Sequence, residues 1–126
     1  MDNYDWFIKL YLNIKTRLSD FVIRKDWRAE FEKDFDISKL REIIDKGIFN
    51  LVFVSKIIEN VFKWIVKLQL NDKNMGCIED ARQNIIKEDN IIFTFKEINM
   101  LIDIMDKDFE EVLETMADEL VAEIKN

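Results

Sequence analysis

The sequence predicts an all-α fold: a single domain over residues 1–126, a bundle of five or six helices around a hydrophobic central helix at about residues 48–70. Three observations predict it. The chain has no proline and only two glycines, Gly47 and Gly76, so the residues that break helices and make tight hairpin turns are nearly missing. Apolar side chains recur at steps of three and four along most of the chain, which gathers them on one helical face. Hydrophobic residues make up 48% beside 36% charged, enough to build a core while keeping a charged exterior.

Each element has its own warrant. A first helix is expected over about 2–24, with Phe7, Leu10, Tyr11, Ile14, Leu18, Phe21 and Val22 inward and Lys9, Asn13, Arg17 and Asp20 outward. Asp26 is placed to cap a short second helix with Trp27, Phe31 and Phe35 at i, i+4 and i+8. That narrow aromatic stripe docks on the bundle or, as a secondary candidate site, meets a partner. Asp36 or Ser38 starts a third helix with Leu40, Ile43 and Ile44 inward, and Gly47 suits the left-handed residue that ends it. In the central helix, Lys56, Glu59, Lys63 and Lys67 form one charged stripe, spaced for pairing along the helix. Four charges would be costly in a bilayer, so this segment is expected to be buried in protein rather than membrane.

The segment 71–76 reads as a loop, followed by a modest helix from Ile78 to about Glu88 with Ile78, Ala81, Ile85 and Ile86 inward. Thr94-Phe95-Lys96-Glu97 fits a capping box, with Phe93 and Ile98 as its hydrophobic staple. It is expected to open a last helix over about 95–124, whose inner face is Ile98, Leu101, Met105, Phe109, Val112, Met116, Leu120 and Ile124. Ile91 to Phe93 is either helix or a short strand without an obvious partner.

The acidic charge is concentrated in that last helix. From residue 89 onward there are eleven acids against three lysines, while residues 1–88 are close to neutral within a formal net charge of −7. At about 100° per residue, Asp103, Glu110, Glu111, Glu114 and Asp118 fall opposite the apolar face, and Asp106, Asp108 and Glu119 add to the charge. Lys107 is within reach of Asp103 and Glu111 but cannot neutralise them all. Acids four apart repel by a few tenths of a kcal/mol, and acids in the last turns oppose the helix dipole. Such a face is unfavourable for helix stability alone. Asp103, Asp106, Asp108, Glu110, Glu111, Glu114, Asp118 and Glu119 are therefore the candidate partner-binding residues, and a basic protein surface is the expected partner. Direct nucleic-acid binding is not expected, because the charge has the wrong sign.

Much chemistry is excluded by composition. The chain has no histidine, so neither a Ser-His-Asp nor a Cys-His pairing can be built, and the commonest metal ligand is missing. Cys77 is the single cysteine; without a histidine base, a small helix-start residue is the simpler reading. Two isolated glycines make no phosphate-binding loop. No cofactor, metal or catalytic residue is expected, nor an enzyme. The N-terminal residues lack the basic-then-apolar pattern of a signal peptide, so a cytoplasmic location is expected.

Two resemblances are short. Glu110-Glu111-Val112-Leu113-Glu114 resembles half of the carboxylate set of MazG-type all-α nucleotide pyrophosphohydrolases, which would imply magnesium-dependent hydrolysis. The second Glu-x-x-Asp group of that family would need a later helix, and twelve residues follow Glu114. Leu40 to Asp45 has the leucine-to-aspartate spacing of a Bcl-2-like homology motif, with Ile44 in place of the usual small residue and no Asn-Trp-Gly-Arg signature.

The function expected is that of a non-enzymatic acidic binding or inhibitor protein docking on a basic, nucleic-acid-binding surface of a partner. Size, acidity and the lean toward isoleucine, lysine and asparagine suit a phage or mobile-element anti-defence protein such as an anti-CRISPR. A toxin-immunity protein, or a structural module that self-associates, would share these features.

Overall fold

The computed structural model describes residues 4–88 and 90–125. Six α-helices and a short 3-10 turn run through them, with no strand among the described residues: α1 (Asp5–Ser19), α2 (Lys25–Asp34), α3 (Ile37–Asp45), α4 (Leu51–Lys67), the turn Asp72–Asn74, α5 (Met75–Glu88) and α6 (Ile91–Lys125). The chain is all-α. It divides into two compact units, residues 1–68 and 69–126.

In the first unit, the hydrophobic helix is the core. α4 buries Val54, Ile57, Val61, Phe62, Trp64 and Ile65, and α1 buries Phe7, Tyr11, Ile14 and Leu18 at steps of three and four. Phe31 and Phe35 are fully buried; their rings stack at 4.6 Å, and Phe31 meets Trp64 edge-on at 5.2 Å. Each such side chain contributes about 1.5–3 kcal/mol on leaving water. The indole N–H of Trp64 donates to Asp34 at 2.8 Å, so its burial leaves no unmet donor.

The charged stripe of α4 does not pair along its own helix as its spacing suggested. Lys63 instead reaches Glu30 and Asp34 of α2, at 3.1 and 3.0 Å, and Lys67 reaches Glu30 at 2.8 Å. Lys67 also lies over the rings of Trp27 and Trp64, at 4.8 and 4.7 Å. The cross-helix partners win because burying the aromatic face of α2 brings Glu30 and Asp34 alongside α4. These contacts hold the Glu30 carboxyl below its ordinary range and the Lys63 ammonium above its own, hydrogen bonding being the leading cause in both.

Helix ends in this unit follow capping chemistry. α1 stops at Ser19, short of the expected end near Arg24, while the expected start at Asp2 lies outside the described residues. The Arg28 guanidinium donates to the carbonyls of Ser19 and Val22, at 3.1 and 2.7 Å, and to the Ser19 hydroxyl. Carbonyls at and just past the end of α1 thereby gain a charged donor, the Ser19 carbonyl also accepting from the Val22 N–H at 3.1 Å. Asp26 is not the cap of α2. It sits in the first turn and accepts from Arg24, while position 24 caps without a side-chain bond.

Asp36, by contrast, caps α3 by accepting from the Lys39 N–H at 3.1 Å. Gly47, at φ 72°, ends that helix, with Ile48 N–H donating to Ile43 O and Gly47 N–H to Ile44 O. Those two bonds and the left-handed glycine make a Schellman ending. Asn50 caps α4 through the Phe53 N–H at 3.0 Å, so that helix begins at Leu51 rather than Ile48.

The second unit departs further from expectation. α5 starts at Met75, so Gly76 and Cys77 lie inside its first turn and the expected loop holds a 3-10 turn over Asp72–Asn74. Ile78 and Ala81 are buried as expected, but Ile86 is exposed. α6 begins at Ile91, before the expected capping box. Asn90 is the cap, its side-chain oxygen accepting from the Phe93 N–H at 3.1 Å. Thr94 is buried within the helix and donates its hydroxyl to the Asn90 carbonyl at 2.9 Å. A threonine bonding back one turn is no longer available as a cap. No described helix is long and apolar enough to cross a membrane.

Candidate functional site

α6 is one helix with two environments. Its first half buries Thr94, Phe95, Ile98, Leu101, Ile102 and Met105. From Glu110 onward every described residue is exposed, apolar and acidic alike. The expected inner face is therefore internal only as far as Met105, with Phe109 half-buried. Val112, Met116, Leu120 and Ile124 continue the same stripe into solvent, Leu120 at 58% exposure and Ile124 at 84%. Continuing the periodicity to the end of the helix overestimated what the chain itself covers.

The reason is length. α5 has 14 residues and α6 has 35. The turn that precedes α5 meets α6 at Asp108 and Glu111: Lys73 approaches Asp108 at 2.8 Å and Glu111 at 3.7 Å, and the Asn74 amide donates to Asp108. Since α5 and α6 pack together and join through 89–90, these contacts mark where α5 starts beside α6. Residues beyond 111 run past that point.

This clamp singles out one predicted site residue. The Asp108 side chain is 12% exposed, against 56% for Glu111. Lys73 holds the Asp108 carboxyl below its ordinary range, with help from Asn74, and Asp108 in turn holds the Lys73 ammonium above its own. Asp108 is thus an internal anchor, unlike the exposed acids further along. A shallow groove of about 340 Å³ opens beside it, with Lys73 and Asn71 on one wall and Val112, Thr115, Met116 and Glu119 on the other.

The other predicted acids, Asp103, Asp106, Glu110, Glu111, Glu114, Asp118 and Glu119, are all exposed on α6. Over the distal half, Glu110, Glu111, Glu114, Asp118, Glu119 and Glu123 share the segment with a single cation, Lys125, a net of −5, and Lys73 from the turn before α5 reaches Glu111. At about 100° per residue, Glu119 and Glu123 border one edge of the Val112–Met116–Leu120 stripe, while Glu110 and Glu114 lie toward the opposite face. Of the aromatic stripe on α2, Phe31 and Phe35 are consumed by the core, and Trp27 alone is part-exposed, with Arg24 over its ring at 4.6 Å. The Trp27–Phe31–Phe35 face therefore docks within its own unit.

Sequence reasoning missed Lys73, Asn74 and the exposed apolar stripe. The first two are more than thirty residues from Asp108 and leave no local pattern. The third had a signal: α5 is too short to cover seven turns of α6. No family model, curated protein or solved structure matches the chain.

Proposed function

We propose that the protein is a non-enzymatic binding or inhibitor protein of the cytoplasm that docks the distal half of α6 on a basic surface of another protein. The observation that supports it is the joint exposure of six carboxylates and an apolar stripe on residues 110–124. An exposed acidic helix face alone has a simple explanation in solubility. A stripe of large apolar side chains bordered by those acids does not, because contiguous exposed apolar surface marks interaction sites. A basic partner relieves the repulsion among the acids and is drawn in by a segregated field.

A partner that normally holds nucleic acid meets this description, since carboxylates would sit where phosphates otherwise lie. An anti-defence protein of a phage or mobile element, such as an anti-CRISPR, is the role we favour. A toxin-immunity protein would act through the same chemistry.

The test is salt-dependent binding to the partner recovered from the native host. Reversing Glu110, Glu114, Asp118 and Glu119 to lysine leaves the Asp108 clamp untouched and should weaken binding by at least about tenfold, with a flatter dependence on salt. Unchanged affinity and unchanged salt sensitivity in that variant would show that the acids do not dock.

A further inference from the structure

Resting on that reading, the stripe allows the partner's docking element to be specified. We infer that residues 112–124 of α6 take a basic amphipathic helix, packed helix against helix on Val112, Met116, Leu120 and Ile124, with lysines or arginines bordering its own apolar stripe.

The apolar positions decide the shape of the partner. Val112, Met116, Leu120 and Ile124 follow one another at four-residue steps, so their side chains form a single ridge that fits the groove of another helix. All four are at least 40% exposed, and none of the residues from Glu110 to Lys125 is buried by the chain itself. The segment spans about 20 Å at the α-helical rise, the length of two heptads in a partner. Met116, at the middle, is an adaptable side chain suited to packing on a surface not its own.

Charge decides the partner's sign and rules against a second copy. Pairing two copies of this segment would bring net charges of −5 together, with acids at the flanking positions where helix pairs place opposite charges. A helix with basic flanks meets Glu119 and Glu123, which border the ridge, and is drawn in by the field of the remaining acids. An extended basic strand or tail would satisfy the acids but leave the ridge uncovered.

The probe is a synthetic leucine-striped helix of about three heptads with lysine flanks, titrated by fluorescence anisotropy into the full chain. Two control peptides accompany it: the same leucines with glutamate flanks, and the same lysine and leucine content with the stripe scrambled. The basic striped peptide should bind at least about tenfold tighter than either control, and the Val112→Ala, Met116→Ala, Leu120→Ala triple variant should lose that margin. Alanine preserves helix propensity, and these positions are exposed, so the variant folds.

Equal binding of the scrambled peptide would overturn the helix inference while leaving acidic docking intact. Equal binding of the acidic peptide would overturn the charge requirement. Failure of the basic striped peptide to bind would also overturn the inference, even where the lysine-reversal experiment with the native partner succeeds. A dimer of the chain in sedimentation equilibrium that the triple variant abolishes would assign the ridge to a second copy instead.

Discussion

The two halves of α6 carry the same apolar periodicity and differ in what covers it. In the proximal half the stripe is core, with Ile98 and Ile102 at 0% exposure; in the distal half its continuation stands in water beside six acids. Periodicity reports that a helix has an apolar face. It does not report whether the chain supplies the second surface. Helical stability in proteins comes mostly from packing that face, so the distal half is the part whose helix rests most on propensity.

Core truncation gives the widest separation between the halves. Ile102→Ala should cost about 2–5 kcal/mol in urea unfolding, while Leu120→Ala should stay within about 0.5 kcal/mol. A large loss from Leu120→Ala at low protein concentration would break the comparison, because it would mean that the chain itself buries the distal stripe.

The boundary between the halves is the Asp108 clamp, whose two charged groups respond to pH in opposite directions. The Asp108 carboxyl is depressed by Lys73 and then Asn74, so its contribution is complete above the ordinary carboxylate pKa near about 4 and is lost as pH falls through the lower folded value. Lys73 is raised by Asp108, so its contribution is present below the ordinary lysine value and is lost as pH rises through the raised one. Asp108→Ala should therefore destabilise by about 1–3 kcal/mol near neutral pH, and the deficit should shrink in acid where the wild-type carboxyl also protonates. A deficit that stays constant down to acid unfolding would show that the ion pair does not anchor the helix.

The start of the proximal half offers a smaller contrast. Asn90→Ala should cost about 1 kcal/mol, as loss of a cap does, and Glu97→Ala should cost less than about 0.5 kcal/mol if no capping box exists. The smallest effect lies at the far end. Glu123→Lys places a cation near the helix C-terminus and should stabilise by a few tenths of a kcal/mol, readable as raised helicity in circular dichroism on heating. Destabilisation there would mean that Glu123 has an internal role its exposure conceals.

Much of the fold was legible because local chemistry decides it. Gly47 and Asp36 end and start α3 as their residue types require, and Ile57, Val61, Trp64 and Ile65 mark α4 as a core helix. Where two local signals competed, the sequence misled. Asn90 and Thr94 are both good caps, and Asn90 prevails because it gives the apolar face another turn and lets Thr94 bond backward. Charge location was legible and charge pairing was not. That Asp108 anchors while Glu114 faces solvent depends on Lys73, a contact across 35 positions that no periodicity encodes. Likewise Glu30 and Asp34 take the α4 lysines only after the aromatic residues of α2 have docked.

The most direct measurement is amide hydrogen exchange along α6, with and without the basic leucine-striped peptide. Amides of 112–124 should exchange far faster than those of 95–109 in the free protein, as expected for a segment with few buried contacts, and should slow by at least about tenfold when the peptide is bound. Distal amides already as protected as the proximal ones in the dilute free chain, or unchanged at saturating peptide, would contradict the assignment of this half-helix as a docking element.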